Sequence, residues 1–320
     1  MRSQAESFTD FIHNADTVIF SGAMGTELQR RGYATALPLW SATANLDVPD
    51  LVQKIHDDYF DAGADVAITN TFRTAIRAFR KSGRESEARD ALKKSVAIAL
   101  DSKKKSGRQV FVGGSFAPLE DCYRPDLVPG EIELRREHEV HAAWLAEAGV
   151  DFLLPETINA GLEAQIMAET ASETGLPFII SFVVDSDGRL LDGTPLPEAV
   201  QRTELPGRVG ISLNCRPIDT MDRAFQKLLT HYDGVIGLYP NGAGHAHDDL
   251  GWCIEDHDDG IQDFVGSALK WKSAGAKIIG GCCGTTPDYI RALHRELKKP
   301  SGDGQFPLAS SYAAAARIWY

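Results

Sequence analysis

Several features that would assign this chain to common classes of protein are missing from its sequence. No apolar run approaches the length of a membrane span, and residues 1–16 lack the apolar segment of a signal peptide. Lysine and arginine form no basic stripe, and their one run, at residues 103–105, is typical of a solvated helix end. The net charge of −12, from 33 basic and 45 acidic residues, argues against nucleic acid and anionic membranes as partners. These absences predict a cytoplasmic protein.

Cysteine is also scarce, with five residues, an odd number that disulfides could not pair completely. In a reducing compartment, clustered cysteines indicate metal binding or catalysis. Cys282 and Cys283 lie in the stretch GGCCGTTP at residues 280–287, between an apolar run and a helix start with Thr286 as the predicted N-cap. The glycines allow the irregular backbone on which adjacent side chains can share one metal.

A zinc site needs more than two thiolates, and the best candidate for a third is Cys215. It too follows a short apolar run and precedes a helix. The alternatives for the cysteine pair are two small buried apolar side chains or a strained vicinal disulfide. The third cysteine at an equivalent position favours the metal. Cys122 and Cys253 are expected to be free buried thiols.

Apolar runs and helical patterns alternate along the whole chain. The predicted strands, at residues 17–20, 65–70, 109–114, 150–154, 177–183, 208–213, 234–238 and 276–279, are continuously apolar, as expected when both faces are covered. Eight strand–helix units in about 300 residues predict an α/β fold, the (β/α)₈ TIM barrel. A doubly wound open sheet is the alternative. No linker is visible, so residues 1–320 are expected to form one domain, with the barrel at about 16–299, a short N-terminal helix and a C-terminal tail from Ser301.

In such barrels the chemistry collects in the loops after the strands. The cysteines follow strands six and eight, so both of their loops are expected to face the same rim. Other polar residues just past a strand include Ser21, Asn70, Ser115, Glu156, Asn214 and Asn241.

Six motifs follow one another along the chain: GAMGTELQRRG at 22–32, TNTF at 69–72, PET at 155–157, NC at 214–215, YPN at 239–241 and GGCCGTTP at 280–287. In this order they resemble the homocysteine S-methyltransferase family. The resemblance implies a zinc-dependent barrel that moves a methyl group to the sulfur of homocysteine and gives methionine. It also implies that Cys215, Cys282 and Cys283 are the zinc ligands.

Further roles rest on the resemblance together with the rim positions. The predicted substrate-binding residues are Ser21, Gly22, Ala23, Met24, Glu156, Thr157 and Asn214. Glu156 is expected to hold the amino group, and the main chain of residues 22–25 the carboxylate at a helix start. Asn241 is the candidate weak fourth zinc ligand before substrate binds. Tyr239 and Trp252 are donor-side candidates through cation–π contact, with core packing as the alternative for Tyr239.

The chemistry is consistent with Zn²⁺ as the cofactor. Three thiolates leave one tetrahedral position open, as in catalytic zinc sites. Coordination deprotonates a thiol, and the thiolate is the nucleophile of sulfur chemistry. The displacement itself requires no general base, so no protein base is assigned.

The sequence departs from the family pattern at three places that bear on the acceptor. Ser21 stands where the family usually has Asp, and Arg73 follows TNTF where many relatives carry a neutral residue. After Asn241 the family usually continues with a small residue, Gly and Glu, whereas residues 242–249 read GAGHAHDD. Another small thiol or a selenol therefore stays open as the acceptor. The chain has no room for cobalamin and folate domains, which favours a sulfonium donor, S-methylmethionine or S-adenosylmethionine, with betaine as the alternative.

Two other classes of function remain. One is a zinc-free barrel enzyme that binds phosphate in its glycine-rich loops, and the other is a binding protein with a structural zinc. A second metal site is conceivable at His245, His247 and His257, which lie near several aspartates. The preferred interpretation of this segment is a solvated polar loop. The tail could pack on the barrel or on a partner subunit, and the sequence does not decide the oligomeric state.

Overall fold

Eight parallel strands and the helices between them dominate the structure, a computed structural model that describes residues 6–247, 251–253 and 260–299. The strands of this sheet are β1 (Val18–Ile19), β2 (Val66–Ile68), β3 (Phe111–Phe116), β4 (Phe152–Pro155), β5 (Phe178–Phe182), β6 (Arg208–Asn214), β7 (Ile236–Tyr239) and β10 (Ile278–Ile279). Between β7 and β10, strands β8 (His245–His247) and β9 (Gly251–Cys253) form an antiparallel hairpin.

The helices between the strands pack outside the sheet and connect them, while the first helix precedes the sheet and the last helix follows it. They are α1 (Phe8–Asn14), α2 (Gly25–Arg30), α3 (Ala44–Asp47), α4 (Pro49–Asp61), α5 (Ile76–Lys81), α6 (Ala88–Ser106), α7 (Glu131–Ala148), α8 (Gly161–Glu173), α9 (Leu196–Arg202), α10 (Ile218–Leu229), α11 (Gly260–Ser273) and α12 (Pro287–Leu297). Short 3₁₀ turns lie at Glu85–Glu87 and Pro125–Leu127. Within the described residues, no helix combines the length and the apolar character that crossing a membrane requires.

The sheet closes on itself. Neighbouring strands run in the order β1-β10-β7-β6-β5-β4-β3-β2. A parallel bridge between Phe20 and Val66 then brings the end of β1 beside β2, and the Asp65 amide donates to the Ile19 carbonyl at 2.8 Å. The predicted (β/α)₈ barrel is therefore confirmed, and the open-sheet alternative is wrong.

Burial explains the apolar strands. Every residue of β3, β4 and β5 is buried, because one face packs against the helices and the other fills the barrel. The chain turns from helix to strand through glycine: α7 ends at Gly149, which adopts the left-handed conformation with φ of 91° before β4.

The N-terminal helix α1 closes the amino end of the barrel. Ser7 caps it by accepting a hydrogen bond from the Asp10 amide at 3.1 Å. The Phe8 ring stacks on Phe152 of β4 with centroids 3.9 Å apart, and Phe11 contacts Phe111 of β3 at 4.8 Å. The short N-terminal helix expected from the sequence is present, and its apolar side completes the barrel interior.

Other expectations fare differently. The loop after β7, expected to be polar and irregular, carries the hairpin of β8 and β9. Thr286 occupies the N-cap of α12 as predicted, but its side chain makes no capping hydrogen bond. His257 and the tail from Ser301 lie outside the described residues, and the assignment of the whole chain to one domain stays a prediction.

Candidate metal and substrate site

A cavity of about 560 Å³ opens at the carboxyl ends of the strands. Its wall combines residues from the loops after β1, β2, β3, β4, β6 and β10 with Tyr239 at the end of β7 and Trp252 of the hairpin. All three cysteines of the predicted metal site belong to the wall. The cavity therefore lies where (β/α)₈ enzymes carry their chemistry.

The three cysteine sulfur atoms meet at this rim. Their Sγ atoms all lie within 4.8 Å of one another, and those of Cys215 and Cys283 are 3.9 Å apart. The loops that carry them follow β6 and β10, which flank β7 in the sheet. The strand order thus brings together residues that are far apart in sequence.

Backbone hydrogen bonds hold both loops against the end of β7. The Cys215 amide donates to the Tyr239 carbonyl at 3.2 Å, and the Cys282 amide donates to the Pro240 carbonyl at 2.7 Å. The Gly242 amide returns a bond to the Cys283 carbonyl at 2.8 Å. These backbone bonds alone hold the two cysteine loops next to each other.

The same rim contains unusual backbone conformations. Cys215 has a φ of 57° and Thr157 a φ of 60°, in the left-handed region that side chains other than glycine rarely adopt. Gly244, at the base of the hairpin, has a φ of 126°, and a Cβ there would lie 2.2 Å from the Cys253 carbonyl oxygen. This close approach sets Trp252 against the cysteines.

Tyr123, in the loop after β3, is a site residue that the sequence analysis missed. Its hydroxyl lies 3.2 Å from the Cys215 Sγ and 3.0 Å from the Cys215 carbonyl oxygen. Hydrogen bonds from the Cys282 and Cys283 thiols and from Tyr123 lower the pKa of Cys215. No periodic pattern marks this loop, so only the fold identifies the residue.

The donor set fits a metal ion that prefers thiolates. A tetrahedron with zinc–sulfur bonds of about 2.3 Å has edges of about 3.8 Å, close to the observed 3.9 Å between Cys215 and Cys283. Asn241 lies beside the loop of Cys215, since its amide donates to the Arg216 carbonyl at 3.1 Å, but it does not line the cavity. Its Oδ1 is buried with no hydrogen-bond partner among the described residues, as suits a weak fourth ligand.

Glu156 is a buried carboxylate in the cavity wall. It accepts hydrogen bonds from the hydroxyls of Ser115 and of Tyr239, the latter at 3.1 Å. Burial raises its pKa to about 7, the Cys215 thiolate adds to the rise, and the two hydroxyls oppose it. Tyr239 is itself buried and serves as a hydrogen-bond donor at the base of the site.

Two predicted substrate-binding residues do not line the cavity. The Ser21 hydroxyl accepts from the Ile68 amide at 3.1 Å, which commits it to the contact between β1 and β2. The Asn214 side chain bonds the Thr157 amide at 3.1 Å and the Thr157 hydroxyl at 2.8 Å. Asn214 thus supports the strained Thr157, and the geometry gives neither Ser21 nor Asn214 a direct contact with a ligand.

The other predicted contact residues, Gly22, Ala23, Met24, Thr157 and Trp252, do line the cavity. One amide of the glycine loop is already engaged, because Ala23 donates to the Thr285 hydroxyl at 3.2 Å. Trp252 is 5% exposed, and its Nε1 has no hydrogen-bond partner among the described residues.

The remaining cysteines and the histidine-rich loop bear on two further expectations. Cys122 is buried and free, as predicted, and burial raises the pKa of its thiol, whereas Cys253 is only partly buried. Across the described ranges, the three clustered cysteines are the only group of metal-ligating side chains. The second metal site therefore gains no support there.

A model of the homocysteine S-methyltransferase family matches residues 18–297. The chain belongs to the homocysteine S-methyltransferase family. The prediction of a methyltransferase enzyme of this family is thereby confirmed.

Individual homocysteine S-methyltransferase relatives cover nearly the whole chain. Homocysteine S-methyltransferase 3 of Zea mays is 30% identical over 91% of this chain and 93% of its own length. Selenocysteine methyltransferase of Astragalus bisulcatus is 31% identical over 95% of this chain and 98% of its own length. The metallated form of the homocysteine methyltransferase MmuM from Escherichia coli superimposes with a TM-score of 0.77 at 29% identity, covering 89% of this chain and 98% of that chain.

Proposed function

We propose that the chain transfers a methyl group from a sulfonium donor, S-methylmethionine or S-adenosylmethionine, to the thiolate of homocysteine and gives methionine. The cofactor is Zn²⁺, held by Cys215, Cys282 and Cys283. The observation that carries the proposal is the convergence of the three Sγ atoms within 4.8 Å in the cavity wall. The existence of a metallated form of the structural relative supports a metal-dependent enzyme.

Bound zinc would make the acceptor thiol a thiolate at neutral pH, where a free thiol with a pKa of about 8.5 is mostly protonated. The protein otherwise needs only to position the two substrates. The new carbon–sulfur bond forms as the methyl–sulfur bond of the donor breaks. The electron pair of the broken bond stays on the donor sulfur, which leaves as a neutral sulfide. The acceptor thiol loses its proton on binding, so the displacement needs no base from the protein.

Glu156 is proposed to hold the amino group of homocysteine. Its carboxylate is buried in the cavity wall, where an ammonium partner would compensate a charge that water cannot reach. The hydroxyls of Ser115 and Tyr239 fix its orientation. The main chain of residues 22–24, across the cavity, is the proposed site of the substrate carboxylate.

The donor side of the cavity is proposed to be aromatic. Trp252 contacts the cysteine cluster, and Trp40 lies next to it. The face of an indole attracts a cation, so this surface suits a positively charged sulfonium. Betaine, a zwitterion whose quaternary ammonium group is cationic, is the alternative donor.

A second candidate acceptor is a selenol such as that of selenocysteine. The selenocysteine methyltransferase relative is 31% identical over 95% of this chain. In addition, the Ser21 side chain is committed to the Ile68 amide, so the amine contact usually made at this position is missing. The same zinc chemistry would serve either acceptor. In both cases the partners are small molecules, and a cytoplasmic location stays part of the proposal.

The first test is the metal content of the purified protein, followed by titration of the cobalt-substituted form with homocysteine. We expect about one zinc per chain and an absorbance change as the added sulfur enters the coordination shell. Selenocysteine, and small thiols other than homocysteine, provide matched titrations. If the absorbance of the metal changes with selenocysteine but not with homocysteine, the acceptor is the selenol and not homocysteine. A protein that holds no metal under reducing conditions would refute the mechanism.

A further inference from the structure

One guanidinium in the cavity wall forms no ion pair with any residue that the structure describes. Arg73, in the loop between β2 and α5, is half-buried and lines the cavity together with Phe72. Its Nη1 donates to the Glu120 carbonyl oxygen at 2.8 Å, and its guanidinium carbon is 5.4 Å from the centroid of the Phe72 ring. The Nε atom is buried and has no hydrogen-bond partner among the described residues.

Neighbouring arginines show how unusual this is. Arg77, in α5, pairs with Glu120 at 3.2 Å and with Glu137 at 2.9 Å. Arg124, which lines the same cavity, pairs with Asp126 at 2.6 Å. Arg73 forms no ion pair within the ranges that the structure describes. Its Nε and Nη2 atoms, the edge of the fork that matches a carboxylate, are uncommitted there.

A partly buried charge without a partner is costly, and an anionic ligand would remove the cost. Because Arg73 lines the substrate cavity, the missing partner is expected among the substrates. The group that fits a guanidinium edge best is a carboxylate, which accepts two parallel hydrogen bonds. Phe72 and the Glu120 carbonyl hold the guanidinium in place for such a contact.

We propose that Arg73 binds the carboxylate of the methyl donor and thereby selects amino-acid donors, such as S-methylmethionine, over sulfonium compounds that lack a carboxylate. This inference rests on the proposed function. Homocysteine has only one carboxylate, for which the residue 22–24 loop is proposed, and its amine is assigned to Glu156 in the proposed function. In-line displacement requires both substrates at once, and a cavity of about 560 Å³ leaves room for a second amino acid.

Two-substrate kinetics test the assignment. The wild type, Arg73→Met and Arg73→Lys are assayed with the sulfonium donor that supports turnover and with its decarboxylated counterpart. For Arg73→Met we expect the KM of the carboxylate-bearing donor to rise about ten- to hundred-fold, the usual effect of losing a charged hydrogen bond. The KM of homocysteine should change less than two-fold. Arg73→Lys should recover part of the loss, because it keeps the charge but not the fork.

Two comparisons complete the design. The wild type should use the decarboxylated donor with a KM about ten- to hundred-fold higher, and Arg73→Met should not raise that value further. Arg80→Met removes an arginine that pairs with Glu85 at 2.7 Å and does not line the cavity, and should leave both KM values within about two-fold of the wild type. Circular dichroism and zinc content establish that each variant is folded.

The outcomes separate this inference from the proposed function. A rise in the KM of homocysteine alone would assign Arg73 to the acceptor and overturn the proposal. Unchanged KM values in both Arg73 variants, or equal use of the decarboxylated donor by the wild type, would also overturn it. If no sulfonium donor supports turnover in the wild type, the proposed function fails first, and that result is visible before any Arg73 variant is made.

Discussion

The two ends of the barrel are built from the same eight strands, but one end is closed by packed side chains and the other is open. At the amino end, Phe8 stacks on Phe152, Phe11 packs on Phe111, and the helix that carries both seals the interior. At the carboxyl end the interior stays open as a cavity of about 560 Å³, lined by thiols, a carboxylate and aromatic rings.

Backbone strain follows the same division. Among the described residues, the three non-glycine positions with positive φ are Trp40, Thr157 and Cys215, and all three line the cavity. Such conformations each cost about 1–3 kcal/mol and persist only where the surroundings impose them. The packing at the amino end therefore stabilises the barrel, while the strained residues at the carboxyl end lower its stability and orient side chains in the cavity.

The sharpest way to test this division is Cys282→Ala. Loss of one of three thiolates should abolish metal binding and reduce methyl transfer to background, while the barrel still folds, because the residue contributes little to the core. Metal analysis, activity and thermal unfolding measure the three quantities. Cys253→Ala is the matched control, since Cys253 lies outside the cysteine cluster and should keep its metal. Stoichiometric zinc in Cys282→Ala would contradict the ligand assignment.

Phe8→Ala should do the opposite at the amino end. Deleting a ring that is 3% exposed leaves a cavity against Phe152 and should lower the free energy of unfolding by about 3 kcal/mol. Activity per folded molecule at low temperature should match that of the wild type. Denaturant unfolding and steady-state kinetics check both values. A loss of kcat without a loss of stability would show that the two ends are not independent.

Glu156→Gln should affect the acceptor at the carboxyl end without removing the metal. Loss of the charge that pairs with an ammonium should raise the KM of homocysteine about hundred-fold. The carboxyl has a raised pKa, to about 7, so in the wild type it becomes neutral as the pH falls through that value. The KM of homocysteine should therefore rise on the acid side of pH 7, and Glu156→Gln should lack this dependence. The same acid limb in both proteins would assign it to another group.

Tyr123→Phe should produce the smallest change. It removes the hydroxyl 3.2 Å from the Cys215 Sγ but keeps the ring, so the fold should be unaffected. Hydrogen bonds to metal ligands typically contribute 10–100-fold to metal affinity or activity, and we expect about ten-fold weaker zinc binding. Competition with a chelator measures it, and Tyr33→Phe, far from the cysteines, is the control. If the zinc affinity is unchanged, the Tyr123 hydroxyl does not support the metal site and the side chain contributes packing only.

The sequence was sufficient to predict the barrel and the meeting of the three cysteines at its rim, for physical reasons. Parallel strands covered on both faces are continuously apolar, so their number and order can be read directly. Cys215, Cys282 and Cys283 each follow such a strand, and strands six and eight flank strand seven once the barrel closes.

The remaining parts of the site depend on side-chain directions that no periodicity encodes. Ser21 and Asn214 are at the rim as predicted, but their hydrogen bonds turn toward Ile68 and Thr157. Tyr123 reaches Cys215 from an irregular loop. The hairpin that brings Trp252 to the cysteines was expected to be a polar loop, because its strands are only three residues each.

The position of β10 has a consequence for the order in which the molecule becomes reactive. During synthesis Cys215 emerges with β6, but its two companions arrive only with the last strand of the barrel. That strand also completes the cylinder, since it pairs with both β7 and β1. An unfinished chain thus carries one of the three clustered cysteines, and a site that needs all three can form only in the finished barrel.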